Sequence, residues 1–160
     1  MSVIIAITPF IIAGVTSLVS GVAVLSSDND NNQDNKKSIT LPTNIRNEEL
    51  LQKALRNLGA NIVRNADNVT KSDVDDFHVV FQRTSTGVFE IKFTGNKNEV
   101  DNKEANAFRD ELQEEYGRVI QDYVYTQLKQ KAEEKGLSLE KEAVQKDQSI
   151  VLTYNINSNG

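Results

Sequence analysis

An unbroken apolar run distinguishes the start of the chain from everything that follows it. Between Val3 and Leu25 (VIIAITPFIIAGVTSLVSGVAVL) no side chain is charged. As an α-helix rising about 1.5 Å per residue, this run would reach roughly 35 Å, enough to cross the hydrocarbon of a bilayer. The pattern predicts a membrane-spanning helix. A buried core helix and a cleaved signal peptide are the alternatives, although the segment lacks the Lys or Arg that normally opens a signal peptide.

The charges that flank this segment predict its orientation. Lys36, Lys37 and Arg46 all follow the apolar run, and no basic residue precedes it. Because basic flanks stay on the cytoplasmic side, we expect a single-pass membrane protein whose remaining chain faces the cytoplasm. The sequon Asn68-Val69-Thr70 contests this orientation, since it is glycosylated only on the luminal or outer side.

Small residues recur on one face of the predicted membrane helix. Thr16 and Ser20, and likewise Ser17 and Gly21, are four residues apart. Such spacing lets a second helix approach closely, so we predict a membrane partner through residues 3–25 and a possible protein partner or self-association through the same helix. The alternative is that small residues simply tolerate lipid.

A polar linker rich in Asn and Asp is predicted over residues 26–40. Ser26–Lys37 (SSDNDNNQDNKK) has no apolar side chain that could offset the entropy of ordering. Its acidic residues imitate the spacing of a calcium-binding loop. Gln33 occupies the place of the turn glycine, however, and Ile39 that of the closing Glu, so we predict no calcium site.

Alternating and helical periodicities predict the rest of the chain, residues 41–157, as an α+β domain. We expect strands at Ser38–Leu41 and Asn61–Arg64, a polar turn at Thr70–Asp76, and a hairpin spanning Phe77–Phe93. The helices are predicted at Glu48–Leu58, capped by Asn47, and at Glu104–Lys135, where Gly117 leaves two helices possible. A last hairpin joins Leu137–Glu142 to Ser149–Tyr154.

The predicted fold class is therefore α+β, an antiparallel sheet with two helices on one face in the order β-α-β-β-β-α-β-β, preceded by one apolar transmembrane-type helix. The predicted domains are an anchor at residues 1–25, a linker at 26–40 and the α+β domain at 41–157.

Composition excludes several classes of function. The chain of 160 residues carries a net charge of -5 and scatters its Lys and Arg, which argues against nucleic-acid binding. It has no cysteine, so thiolate metal sites, disulfides and cysteine nucleophiles are excluded. With His78 as the single histidine, we predict no metal site, and no motif implies a cofactor.

No catalytic residue stands out. We interpret His78 as a surface or hydrogen-bonded strand residue rather than a base, and the acidic cluster of Asp73, Asp75 and Asp76 as a solvated loop. Tyr125 is the odd residue of the long helix. It lies about 200° around the axis from Tyr123, away from the stripe expected to be buried.

Several segments resemble the plastid and cyanobacterial family called hypothetical chloroplast reading frame thirty-five, a domain of unknown function. The likeness lies in Leu51–Gly59 (LQKALRNLG), the hairpin Asp76–Phe93, Tyr123-Val-Tyr125, Lys135-Gly136 and Asp147–Ile150, and it covers most of residues 50–154. Gln148 departs from the family's Asp-Gly turn, and the family lacks the apolar segment and linker. The resemblance implies a fold and no site.

These features predict a membrane-tethered binding or scaffolding module. The alternatives are an enzyme or enzyme accessory that uses ordinary residues such as His78, Arg83 or Tyr125, and a structural protein of a viral or organellar envelope.

Overall fold

The computed structural model describes residues 1–9, 38–66, 69–74, 77–95 and 100–156. Its elements are β1 (Ser2–Ile7), β2 (Ser38–Pro42), α1 (Glu48–Asn57), β3 (Asn61–Ala66), β4 (Val69–Val74), β5 (Phe77–Arg83), β6 (Phe89–Gly95), α2 (Asn102–Glu134), β7 (Leu137–Val144) and β8 (Ile150–Ile156). They form two compact units, one of residues 12–116 and one of residues 1–11 with 117–160.

The first unit contains a five-stranded antiparallel sheet in the order β2-β6-β5-β4-β3. The predicted hairpin is confirmed as β5 and β6, whose register places Val79 opposite Phe93 and Phe81 opposite Ile91. All four of these side chains are buried. Strict alternation thus gives this sheet one apolar face.

Both helices of this unit contact that apolar face. Phe108 of α2 meets Phe93 edge-on, with 5.9 Å between ring centroids. The Thr70 hydroxyl, on the same face as Phe81, donates to Glu48 of α1 at 3.5 Å. As predicted, α1 is capped by Asn47, and it buries the apolar stripe of Leu51, Ala54 and Leu55.

Tyr116 fixes the connection between β2 and α1. Its hydroxyl accepts hydrogen bonds from the backbone N–H groups of Asn47 at 3.0 Å and Arg46 at 3.3 Å. Thr43 in the same connection donates to the Phe89 carbonyl. The Tyr116 hydroxyl thus satisfies two backbone donors at the start of α1, and the Thr43 hydroxyl satisfies the carbonyl of Phe89 on β6.

The second unit contains a three-stranded antiparallel sheet in the order β1-β8-β7. The part of α2 that follows Gly117 packs on one face of this sheet. The buried residues of this core are Ile7, Ala132, Leu152 and Tyr154, with Ile5, Val124, Tyr125, Leu128, Leu137 and Ile150 packed against them.

The predicted N-terminal membrane helix is wrong. Ser2–Ile7 is a strand whose residues pair in unbroken register with β8, from Ser2 opposite Asn155 to Ile7 opposite Ile150. A short run of Val and Ile suits a strand as well as an apolar helix, and the partner β8, far along the chain, decides between them. Residues 10–37, which include the small-residue face and nearly all of the predicted linker, lie outside the described residues.

The predicted membrane anchor and the predicted localisation both depended on that helix. In the part of the chain that the structure describes, no helix is both long enough and apolar enough to cross a bilayer. The longest, α2, has 33 residues but carries charged side chains along its length. The predicted anchor at residues 3–25 and the single-pass, cytoplasm-facing localisation are therefore corrected.

The predicted single sheet is also wrong, because the described strands form two sheets and include two strands, β1 and β4, that were not expected. The polar turn predicted at Thr70–Asp76 is largely β4, in which Thr70 and Ser72 are buried. Ser72 donates its hydroxyl to the Asn61 carbonyl at 2.9 Å, which makes its burial tolerable. A hydrophobicity pattern did not predict this strand because its buried positions carry hydroxyl groups instead of apolar side chains.

The long helix differs from its prediction in which face it buries. It is continuous through Gly117, so the two-helix alternative is wrong. Tyr123, expected to be buried, is 51% exposed, and Tyr125 is half-buried. The second half of α2 packs on a different sheet from the first half, so its buried positions follow a new stripe that includes Leu128 and Ala132.

Candidate functional site

The strand β1 has one hydrogen-bonded neighbour, β8, among the described residues. The backbone N–H of Ile156 donates to the Met1 carbonyl at 2.9 Å. Because hydrogen-bonded and non-hydrogen-bonded pairs alternate along an antiparallel ladder, the odd-numbered residues of β1 face β8. Ser2, Ile4 and Ala6 therefore direct their backbone N–H and C=O groups away from the sheet. We call this row of groups the β1 edge.

The other sheet edges of the described residues carry features that discourage strand pairing. Edge strand β2 ends in Pro42, and β3 has a register irregularity between Ile62 and Arg64. Edge strand β7 has a similar irregularity between Leu139 and Lys141 and bears the charged run Glu140, Lys141, Glu142. Proline, bulges and charge are the devices by which edges resist a further strand.

The β1 edge has none of these devices. Its register is unbroken, and the segment SVIIAI contains neither a charge nor a proline. Ile4 is 70% exposed on the sheet face opposite the α2 core, and Met1 is 94% exposed. An uncharged and apolar edge with an unbroken register is a template for pairing with another strand.

A polar cluster joins α2 to β7 in the same unit. The Tyr125 hydroxyl donates to the two carboxylate oxygens of Glu142, at 3.0 and 2.9 Å. It accepts a hydrogen bond from the Lys129 ammonium at 3.1 Å, and that nitrogen lies 5.1 Å from the centre of the Tyr125 ring. We call Tyr125, Lys129 and Glu142 the Tyr125 cluster.

The Tyr125 cluster perturbs two titrations. The hydrogen bond to Tyr125, with smaller contributions from the electrostatic attraction of Tyr125 and Glu142, raises the pKa of Lys129. Burial raises the pKa of nearby Tyr154, and the positive charge of Lys129 opposes that rise. Tyr154 is 2% exposed, and its hydroxyl has no hydrogen-bond partner among the described residues.

The Tyr125 cluster is better suited to joining elements than to moving protons. The Tyr125 proton is engaged by the Glu142 carboxylate, and its oxygen already accepts from Lys129. A general acid must have its proton within reach of a substrate, and this proton is directed at a protein carboxylate. The arrangement ties helix to strand.

Among the residues singled out from the sequence, His78 and Asp73 come together as an exposed cross-strand pair. His78 lies directly opposite Asp73 across β4 and β5, bonded through Nδ1, and both side chains are exposed. The Arg83 guanidinium lies 4.9 Å from the centre of the Phe89 ring and donates to the Arg46 carbonyl at 3.0 Å. Each of these contacts joins neighbouring parts of the fold, and none of them requires a ligand or a substrate to account for it.

Asp75 and Asp76 of the acidic cluster lie outside the described residues. Within the described ranges, no group of three or more His, Asp or Glu side chains is placed to hold a metal ion.

Sequence reasoning missed the β1 edge and the pairing of Tyr125 with Glu142. The β-branched residues Val3, Ile4, Ile5 and Ile7 favour a strand, but they stand within a longer apolar run that also fits a membrane helix. The contact of Tyr125 with Glu142 joins residues 17 positions apart on a helix and a strand, and no periodicity in the sequence predicts it.

Comparison of the chain with protein-family models, with curated proteins and with solved structures found no match. The resemblance to the hypothetical chloroplast reading frame thirty-five family therefore stays a prediction, as do the enzyme and envelope-protein alternatives.

Proposed function

We propose that this chain is a protein-binding module that docks a partner strand on the β1 edge. The observation that carries the proposal is the contrast among sheet edges. Each of the other described edges carries a proline, a register irregularity or a register irregularity with charges, whereas β1 has an unbroken register and is uncharged and apolar.

The β1 edge supplies both parts of strand recognition. The outward backbone groups of Ser2, Ile4 and Ala6 provide donors and acceptors for a ladder of hydrogen bonds, and alternate side chains provide selectivity. Full burial of an isoleucine side chain stabilises a complex by about 1.5–3 kcal/mol, and Ile4 is 70% exposed before pairing. An uncharged partner strand fits this edge best.

Site-specific photo-cross-linking tests the proposal. A benzophenone amino acid is placed at Ile4 or at Val144 in the full chain, and cells that express each variant are irradiated. Val144 is the matched control because it is 66% exposed on β7. That strand forms the other edge of the same sheet and carries the register irregularity and the charged residues. Mass spectrometry then identifies the cross-linked peptides.

The expected result is a product of defined mass at position 4 that is absent at position 144. Its cross-linked peptide should be an uncharged, extended segment. No product at position 4, or the same products at both positions, would overturn the proposal.

A further inference from the structure

We infer that the strand received by the β1 edge is β1 of a second copy of this chain, which pairs antiparallel to form a two-fold symmetric dimer. This inference rests on the proposed function and names its partner. Two identical strands related by a two-fold axis pair antiparallel, and the same surface then serves both subunits.

The outward backbone groups select one register for this pairing. With the two-fold axis at Ile4, that residue faces its own copy and Ser2 faces Ala6, so all three outward residues of each strand form hydrogen-bonded pairs. An axis at Val3 leaves Ala6 without a strand residue opposite it, and an axis at Ile5 does the same to Ser2. The Ile4 register therefore makes the most backbone bonds.

Side chains agree with this register. On the outer face the two Ile4 side chains meet at the centre and are flanked by the small pair of Ser2 and Ala6. On the opposite face Val3, which is 37% exposed, lies across from the half-buried Ile5 of the other copy. Side chains that lie directly opposite each other across two strands contact each other, so each of these apolar pairs removes apolar surface from water.

Charge also permits a second copy at this edge. Each chain carries a net charge of -5, so two copies repel at long range. Neither β1 nor β8 contains a charged side chain, however, and the charged run Glu140–Glu142 lies on β7. Strands are about 4.8 Å apart, so the two β7 strands would be separated by roughly 24 Å, well beyond a Debye length of about 8 Å.

In the dimer, neither outer edge of the combined sheet favours the addition of a further strand. Pairing through β1 produces the strand order β7-β8-β1-β1-β8-β7, in which both outer edges are β7. Those edges carry the register irregularity and the charged residues that discourage a further strand. Growth therefore stops at two copies.

The absence of cysteine from the chain allows an unambiguous test. Wild-type mass is measured by light scattering over a dilution series, and single-cysteine variants Ile4→Cys and Val144→Cys of the full chain are oxidised under identical conditions. Residues opposed in a ladder are about 5.5 Å apart between Cα atoms, which a disulfide can bridge. We expect a wild-type dimer, a covalent dimer from Ile4→Cys, and little from Val144→Cys.

A lysine at the same position provides the complementary variant. Ile4→Lys should fold, because the side chain is exposed, and its circular dichroism spectrum checks this. The variant should be monomeric at concentrations where the wild type is a dimer, because the axis would oppose two ammonium groups. Val144→Lys should remain dimeric.

A monomeric wild type at every concentration, or a dimer that survives Ile4→Lys and cross-links through Val144→Cys, would overturn the inference. In either case, photo-cross-linking of Ile4 to a different protein would leave the proposed function standing. If photo-cross-linking at position 4 gave no product at all, both the proposed function and the inferred dimer would be wrong.

Discussion

Lys129 lies one helical turn after Tyr125 on α2 and donates a hydrogen bond to the Tyr125 hydroxyl at 3.1 Å. This contact, together with the attraction of Tyr125 and Glu142, raises the pKa of Lys129 above its ordinary value of 10.5. The hydroxyl donates in turn to Glu142, so a base on the helix and an acid on β7 share one tyrosine.

These contacts predict a loss of stability in alkaline solution. A lysine whose folded-state pKa is raised contributes stability that is complete below 10.5 and is lost as pH rises through the folded-state pKa. Tyr154 acts in the same direction, because its raised pKa means that the unfolded chain ionises first above 10.0. The free energy of unfolding in urea should therefore fall above about pH 10.

Lys129→Met should make that alkaline decline shallower. Lys131→Met is the control, since Lys131 is an exposed lysine on the same helix. Equal slopes for the wild type and Lys129→Met would show that the contact with Tyr125 contributes nothing to stability.

Two buried tyrosines should respond oppositely to loss of the hydroxyl. Tyr154→Phe removes a hydroxyl that has no partner among the described residues, so the free energy of unfolding should rise by about 1 kcal/mol. Tyr116→Phe leaves the N–H groups of Arg46 and Asn47 without their acceptor, so the free energy of unfolding should fall by about 1–2 kcal/mol. Denaturant titration of both variants measures the contrast, and destabilisation by Tyr154→Phe would contradict it.

The turn between β7 and β8 offers a stabilising substitution. Gln148 has a φ of 66°, in the left-handed region that L side chains rarely adopt. Glycine removes that strain of about 1–2 kcal/mol but makes the unfolded chain more flexible, so Gln148→Gly should stabilise the protein by about 0.5–1 kcal/mol. Thermal unfolding measures the gain. Lys146→Gly, at an ordinary φ in the same turn, should lower the melting temperature instead.

The same turn predicts a response to acid. The Ser149 hydroxyl donates to Asp147 at 2.6 Å and the Ser149 N–H at 3.0 Å, and these bonds lower the pKa of Asp147 below 3.8. The resulting stability is present above 3.8 and is lost as pH falls through the folded-state pKa. Ser149→Ala should reduce this acid-side loss, measured by urea unfolding between about pH 2 and pH 5. An unchanged acid slope would show that the hydroxyl contributes nothing.

His78 should be replaceable at little cost. It is exposed and bonded to an exposed Asp73, and surface pairs of this kind typically contribute about 0–1 kcal/mol. His78→Gln should therefore leave urea unfolding and the oligomeric state nearly unchanged. A large loss of either would mean that the histidine has a role beyond its cross-strand partner.

Local chemistry explains which elements were predictable. The hairpin of β5 and β6 alternates over its whole length, and Gly87 in its turn has a φ of 80°. Helix α1 announces itself by Asn47 at its start and by its apolar stripe. Strand β4 was missed because Thr70 and Ser72 are buried through hydrogen bonds, which hydrophobicity does not register.

The sequence by itself determined the α+β class, α1 and the two hairpins, because each of these elements depends on residues near one another in the chain. Composition alone excluded cysteine chemistry. Only the tertiary structure decided that Ser2–Ile7 is a strand, since its partner β8 lies about 150 residues away along the chain. The division into two sheets and the meeting of Tyr125 with Glu142 depend on equally non-local pairings. An apolar run is compatible with both a helix and a strand, and the free energy of pairing with the distant strand β8 selects the strand.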